Sequence, residues 1–100
     1  MAIRKKETFT RYDTADYLKS EEDITAYLDV CFEENDPALM ATALGHVARA
    51  RNMSQIARDT GLTREGLYKA LCMDGNPTLA TAMKVANALG YQLRLVPLPH

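Results

Sequence analysis

Apolar positions in this chain fall into five runs with helical spacing, separated by short polar breaks. The first run is Ile24, Tyr27, Leu28, Cys31 and Phe32, the i, i+3, i+4, i+7, i+8 stripe of an amphipathic helix. Ser20 precedes it as an N-cap, and Glu21, Glu22 and Asp23 fill the first turn, where the helix dipole favours acids. Glu33-Glu34-Asn35 ends it. Asp36-Pro37 opens a second helix: the aspartate caps, and proline at the first helical position sacrifices an N–H that has no intrahelical partner anyway. Its stripe is Met40, Ala43, Leu44, Val47 and Ala48, with Arg49 and Arg51 in the last turn. Ser54 is expected to cap a short third helix over 55–60, broken by Gly61, and Thr63 to cap a fourth over 64–71. Asp74-Gly75-Asn76-Pro77 reads as a loop. Thr78 caps a fifth helix with Leu79, Ala82, Met83, Ala86 and Leu89 as its apolar positions and Gly90 as its stop.

The two ends lack this period. Residues 1–19 are polar, with Phe9, Tyr12, Tyr17 and Leu18 scattered through them, and read as an N-terminal arm outside the core; Thr14 starts a short helical turn into Leu18. After Gly90, residues 91–96 alternate at period two, which predicts a single strand ended by Pro97 and Pro99. The expected fold is therefore all-α. It has a five-helix domain over 20–90, an arm over 1–19, and a C-terminal strand and tail over 91–100. One hundred residues suffice for one domain with a modest core. No apolar run is long enough to span a bilayer, and the basic start is not followed by the apolar core of a signal peptide, so the expected location is the cytoplasm.

Charge adds a second layer. The whole chain is nearly neutral at −1, but residues 1–43 carry five basic and ten acidic side chains, and residues 44–100 carry seven basic and three acidic. The basic half suits phosphate; the acidic half suits a basic protein or plain solvent. Cys31 and Cys72 lack a metal-ligand spacing and read as packed free thiols. His46 lies off the apolar stripe and reads as a solvated surface residue, and His100 is in the tail. With no ligand cluster, no phosphate-binding glycine loop and no nucleophile beside a base, neither a metal, a cofactor nor an enzyme activity is expected.

The chemistry concentrates between Met53 and Cys72. Two short helices meet there at a tight turn containing Gly61, the pattern of a helix-turn-helix. Ala57 lets the helices approach, and Ile56, Leu62, Leu67 and Leu71 point inward. That leaves Arg64, Glu65, Tyr68 and Lys69 on the outer face of the fourth helix, whose N-terminal residues meet base edges in such motifs. Arg64 suits guanine O6 and N7, or a phosphate; Glu65 suits a cytosine amino group, or simply the helix N-terminus. Tyr68 and Lys69 suit phosphate or a thymine methyl. Ser54 and Gln55 sit where a helix N-terminus holds phosphate, and Thr63 stands at the entry to the reading helix. Asn76 suits the DNA backbone or a plain turn. Double-stranded operator DNA is thus the expected ligand. A homodimer is expected too, since such dimers bind half-sites about 34–36 Å apart. A lone strand also needs a partner, either the same strand of a second subunit or the arm.

The segment from Ser54 to Leu71 resembles the Xre/Cro-type repressors. Asp36-Pro37-Ala38-Leu39, the run from Ala43 to Arg51, the run from Met53 to Arg58, Gly66-Leu67-Tyr68-Lys69-Ala70-Leu71 and Gly75-Asn76-Pro77-Thr78 together resemble something narrower. They are similar to the putative addiction-module antidote proteins, HigA-like antitoxins of bacterial toxin–antitoxin pairs, over about residues 12–96. The resemblance implies a five-helix fold, repression of the protein's own operon, and neutralisation of a RelE/ParE-type toxin by direct binding. The toxin contact is then expected on residues 1–36, where the acids and the arm's aromatic groups lie. The alternatives are a stand-alone Xre-family regulator without a toxin and an adaptor that no longer binds DNA.

Overall fold

The computed structural model describes residues 14–99, so Phe9 and Tyr12 of the expected arm, and His100, lie outside the described residues. A 3-10 turn over Thr14–Tyr17 leads into five helices: α1 (Glu21–Glu33), α2 (Pro37–Arg51), α3 (Met53–Thr60), α4 (Arg64–Ala70) and α5 (Leu79–Ala88).

Local capping sets most boundaries. The Ser20 hydroxyl accepts from the Asp23 N–H at 3.1 Å, Asp36 Oδ1 from Ala38 at 3.0 Å, Thr63 Oγ1 from Gly66 at 2.9 Å and Thr78 Oγ1 from Thr81 at 3.1 Å. Each satisfies a donor that the first helical turn leaves unpaired. Gly61, at φ +78°, ends α3, and its N–H donates to the Ala57 carbonyl at 2.9 Å.

The expected cap of α3 is corrected. Asn52, not Ser54, caps it: its side chain accepts from the Gln55 N–H at 3.2 Å, while its own N–H closes α2 on the Ala48 carbonyl at 3.0 Å. One residue thus ends one helix and starts the next, and Met53 is a buried helical residue rather than linker.

α2 is the central helix, packed by α1, α3, α4, α5 and the 3-10 turn. It buries Ala41 and Gly45 as well as the expected Ala43, Leu44, Val47 and Ala48, because neighbours surround it on several sides; Met40 is only half-buried. α1 lays Ile24, Leu28 and Cys31 against it. Of the expected apolar positions of α5, Ala82, Ala86 and Leu89 do face inward, but the face is rotated toward Val85 and away from Leu79 and Met83. Val85, Ala86 and Leu89 are buried with Ala82 packed beside them, while Leu79 is 72% exposed and Met83 faces outward. The small side chains on that face let α5 approach α3.

Leu18, assigned from sequence to the arm, is 8% exposed and belongs to the core cluster, so the chain joins the core before α1 begins. The core centres on Leu67, Leu89, Val47 and Val85. The single strand over 91–96 is absent; no residue in the described chain forms a strand. Within one copy a strand at this place has no partner for its backbone groups. The segment instead leaves α5 with the Tyr91 N–H donating to the Ala86 carbonyl at 2.8 Å and its hydroxyl sharing a hydrogen bond with Thr25 of α1 at 2.7 Å.

Both thiols are free; Cys31 is buried and Cys72 partly so. His46 is not solvated as expected: it is half-buried, hydrogen-bonded through Nδ1 to the Tyr27 hydroxyl, with the two rings 5.8 Å apart. Among the described residues no helix is long and apolar enough to cross a membrane.

Candidate nucleic-acid interface

α3 and α4 are joined by Gly61-Leu62-Thr63. Leu67 is buried and Ala70 is half-buried, which fixes the rotation of α4. At 3.6 residues per turn, Arg64, Tyr68, Glu65 and Lys69 then share an arc of roughly 140° on the opposite side. All four are exposed. The α4 face expected from sequence is therefore presented to solvent as a set.

The N-terminal end of α3 adds to it. Arg49, Asn52, Met53, Ser54, Arg64 and Tyr68 line one shallow cleft together with Ala15 of the 3-10 turn. Two arginines from different helices line this cleft: Arg49 from the last turn of α2 and Arg64 from the first residue of α4. Ser54 and Tyr68 line the same cleft, beside the electropositive start of α3. Such a concave site suits an anion that accepts several hydrogen bonds, as a phosphate diester does.

The other sequence candidates divide. The Thr63 hydroxyl is engaged as the α4 cap. Gln55 is drawn into its own helix: Nε2 donates to Asp59 at 2.8 Å, Oε1 accepts from Arg58 at 2.7 Å, and its N–H goes to Asn52. That committed N–H weakens the expected role of Gln55 in holding phosphate. Glu65 and Lys69 share the exposed face of α4 but do not line the cleft, and Asn76 is exposed in the loop beyond it. Arg49 and Asn52 were not singled out from sequence. The available signal was spacing: with Asn52 both ending α2 and starting α3, the last turn of α2 must lie beside the α3 N-terminus.

Comparison with known proteins sharpens the picture. A family model described as "Probable addiction module antidote protein" matches residues 8–97. A Haemophilus influenzae protein described only as uncharacterized is 56% identical over 84 residues, covering 84% of this chain and 87% of that protein. No solved structure matches. With nearly its whole length matched, the chain belongs to the addiction-module antidote family and is the antitoxin member of a toxin–antitoxin system.

Proposed function

We propose that this antidote is a HigA-like, Xre/Cro-type helix-turn-helix repressor that binds the operator of its own operon as a homodimer and neutralises a RelE/ParE-type toxin by direct contact. The observation that carries the DNA half of this reading is the juxtaposition of Arg49, Ser54 and Arg64 in one cleft beside the exposed α4 arc. Arg49, Ser54 and the start of α3 clamp a backbone phosphate and set the register of the protein on the duplex. α4 then enters the major groove, with Arg64 on guanine and Glu65, Tyr68 and Lys69 along the neighbouring base pairs and backbone. A dimer so placed blocks the promoter.

The toxin half rests on family membership and on α1. Glu22, Asp29 and Glu33 are exposed there, giving the acidic surface that a basic toxin would meet, with the arm over 1–19 as a second candidate contact. The role is regulatory rather than catalytic, exercised in the cytoplasm without a cofactor.

The test is fluorescence anisotropy with the DNA upstream of the gene and a scrambled duplex, over a salt series. Preference for the native duplex, with a log–log salt slope of about −0.9 per neutralised phosphate, is expected. Equal affinity for both duplexes would refute operator recognition. Co-purification with the product of the adjacent gene tests the toxin.

A further inference from the structure

A second cleft adjoins the one at the start of α3. Ala15, Leu18, Lys19, Arg49 and Ala50 line it, and Ala15 and Arg49 line its neighbour too, so the two are contiguous. Every charged side chain lining either cleft is basic: Lys19, Arg49 and Arg64. The grooves along α1 differ, with Glu21, Glu22 and Asp29 in one and Asp29 and Glu33 in another. Basic side chains thus gather where the turn before α1, the end of α2 and the start of α4 meet.

Lys19 is held at that place by its neighbours in the chain. Leu18 is buried in the core and its N–H donates to the Ala15 carbonyl at 3.2 Å, while Ser20 caps α1. The backbone of Lys19 is therefore fixed from both sides, and its side chain is exposed. Among the described residues its ammonium makes no hydrogen bond or ion pair, and the Glu21 carboxylate two residues on is taken by Arg51. Nor does stability account for a cation there, because the start of a helix favours acids. Two like charges lining one cleft repel each other until an anion joins them.

We propose that Lys19 and Arg49 bind a second phosphate of the DNA backbone, next to the one assigned to Arg49, Ser54 and the start of α3; the inference rests on the operator-binding reading. A guanidinium carries five N–H donors in a planar fork and can serve two neighbouring phosphates at once. Contiguous clefts suit successive phosphates of one strand, and such contacts set the register of the protein on the duplex without reading its sequence. The phosphate track then runs from Arg64 across the end of α2 to the turn before α1. The segment that joins the core ahead of α1 so gains a role besides packing, and toxin contact is left to α1 and residues 1–13.

The test is fluorescence anisotropy of the full chain on the DNA upstream of the gene and on a scrambled duplex, over a salt series. Lys19→Ala should keep the parent's helical circular dichroism, raise Kd roughly threefold or more on both duplexes, and flatten the log–log salt slope by about 0.9. Lys19→Arg should restore the slope. A duplex series with one neutral methylphosphonate at each backbone position locates the contact: one position that weakens the parent should become silent in Lys19→Ala. An unchanged Kd and slope in Lys19→Ala overturn the proposal. So does a flattened slope with no silenced position, which would make Lys19 a diffuse charge rather than a ligand. A parent that binds both duplexes equally defeats operator recognition alone, since the silenced phosphate is read on either duplex. A parent that binds neither overturns both.

Discussion

Gly45 offers a sharp test of how α2 holds the reading helix. It is buried in α2, and a Cβ added there would sit 2.3 Å from the Leu71 carbonyl oxygen and 3.1 Å from the Leu71 Cβ. Real Cβ atoms essentially never approach within 3.0 Å, so the C-terminal end of α4 must retreat by about 0.7 Å. Two effects of Gly45→Ala oppose each other. Helix propensity favours alanine by about 1 kcal/mol. Overpacking costs about 1–3 kcal/mol, and the upper end applies because the obstacle is backbone rather than a side chain that can rotate away. The net loss is about 2 kcal/mol, which lowers the melting temperature of a domain this size by roughly 8–16 °C. Thermal unfolding by circular dichroism reads it, with Gly66→Ala as control. There the added Cβ meets only the Thr63 hydroxyl, at 3.1 Å, so propensity and crowding nearly cancel. Operator affinity of Gly45→Ala, measured well below its melting temperature, should also fall, since the displaced element carries Arg64 and Lys69. A variant melting at or above the parent would refute the close approach of α2 to α4.

Three further outcomes follow from named contacts. Asn52→Ala should cost about 1 kcal/mol in chemical denaturation by removing the α3 cap, whereas Ser54→Ala should stay within about 0.5; the reverse order would restore Ser54 as the cap. Arg64→Ala should weaken operator binding by about 1–3 kcal/mol and relax preference at one position per half-site, while Lys69→Ala should weaken all duplexes alike and flatten the salt slope; intact specificity in Arg64→Ala would misplace the reading face. Leu18→Ala should destabilise by about 2–3 kcal/mol as a core truncation, so the arm's part in toxin binding is properly tested by deleting residues 1–13, which spares Leu18; toxin binding at full strength after that deletion would remove the arm from the interface.

What the sequence determined by itself is what local chemistry decides. Ser20, Asp36, Thr63 and Thr78 cap their helices through bonds to N–H groups two or three residues on, and Gly61 turns the chain where a left-handed residue is required. These interactions involve neighbours in the chain, so residue type and spacing suffice to read them. The exposed set on α4 was legible for a related reason: Leu67 and Leu71 lie one turn apart, and burying that stripe leaves Arg64, Glu65, Tyr68 and Lys69 outside.

Tertiary structure decided wherever two local solutions competed. Asn52 and Ser54 are both good caps, and the corner between α2 and α3 selects the one that can close both helices. α5 is apolar over much of its surface, so which face turns inward depends on the room beside α3, and Ala82, Val85 and Ala86 fit where Leu79 and Met83 do not. His46 became half-buried because Tyr27 of a different helix lies beside it, and Arg49 joined Arg64 because three helices converge on one cleft. The alternation over 91–96 was real in the sequence but forms no strand in one chain. A period-two pattern specifies which face a residue takes, whereas a strand exists only where another backbone supplies the other half of its hydrogen bonds.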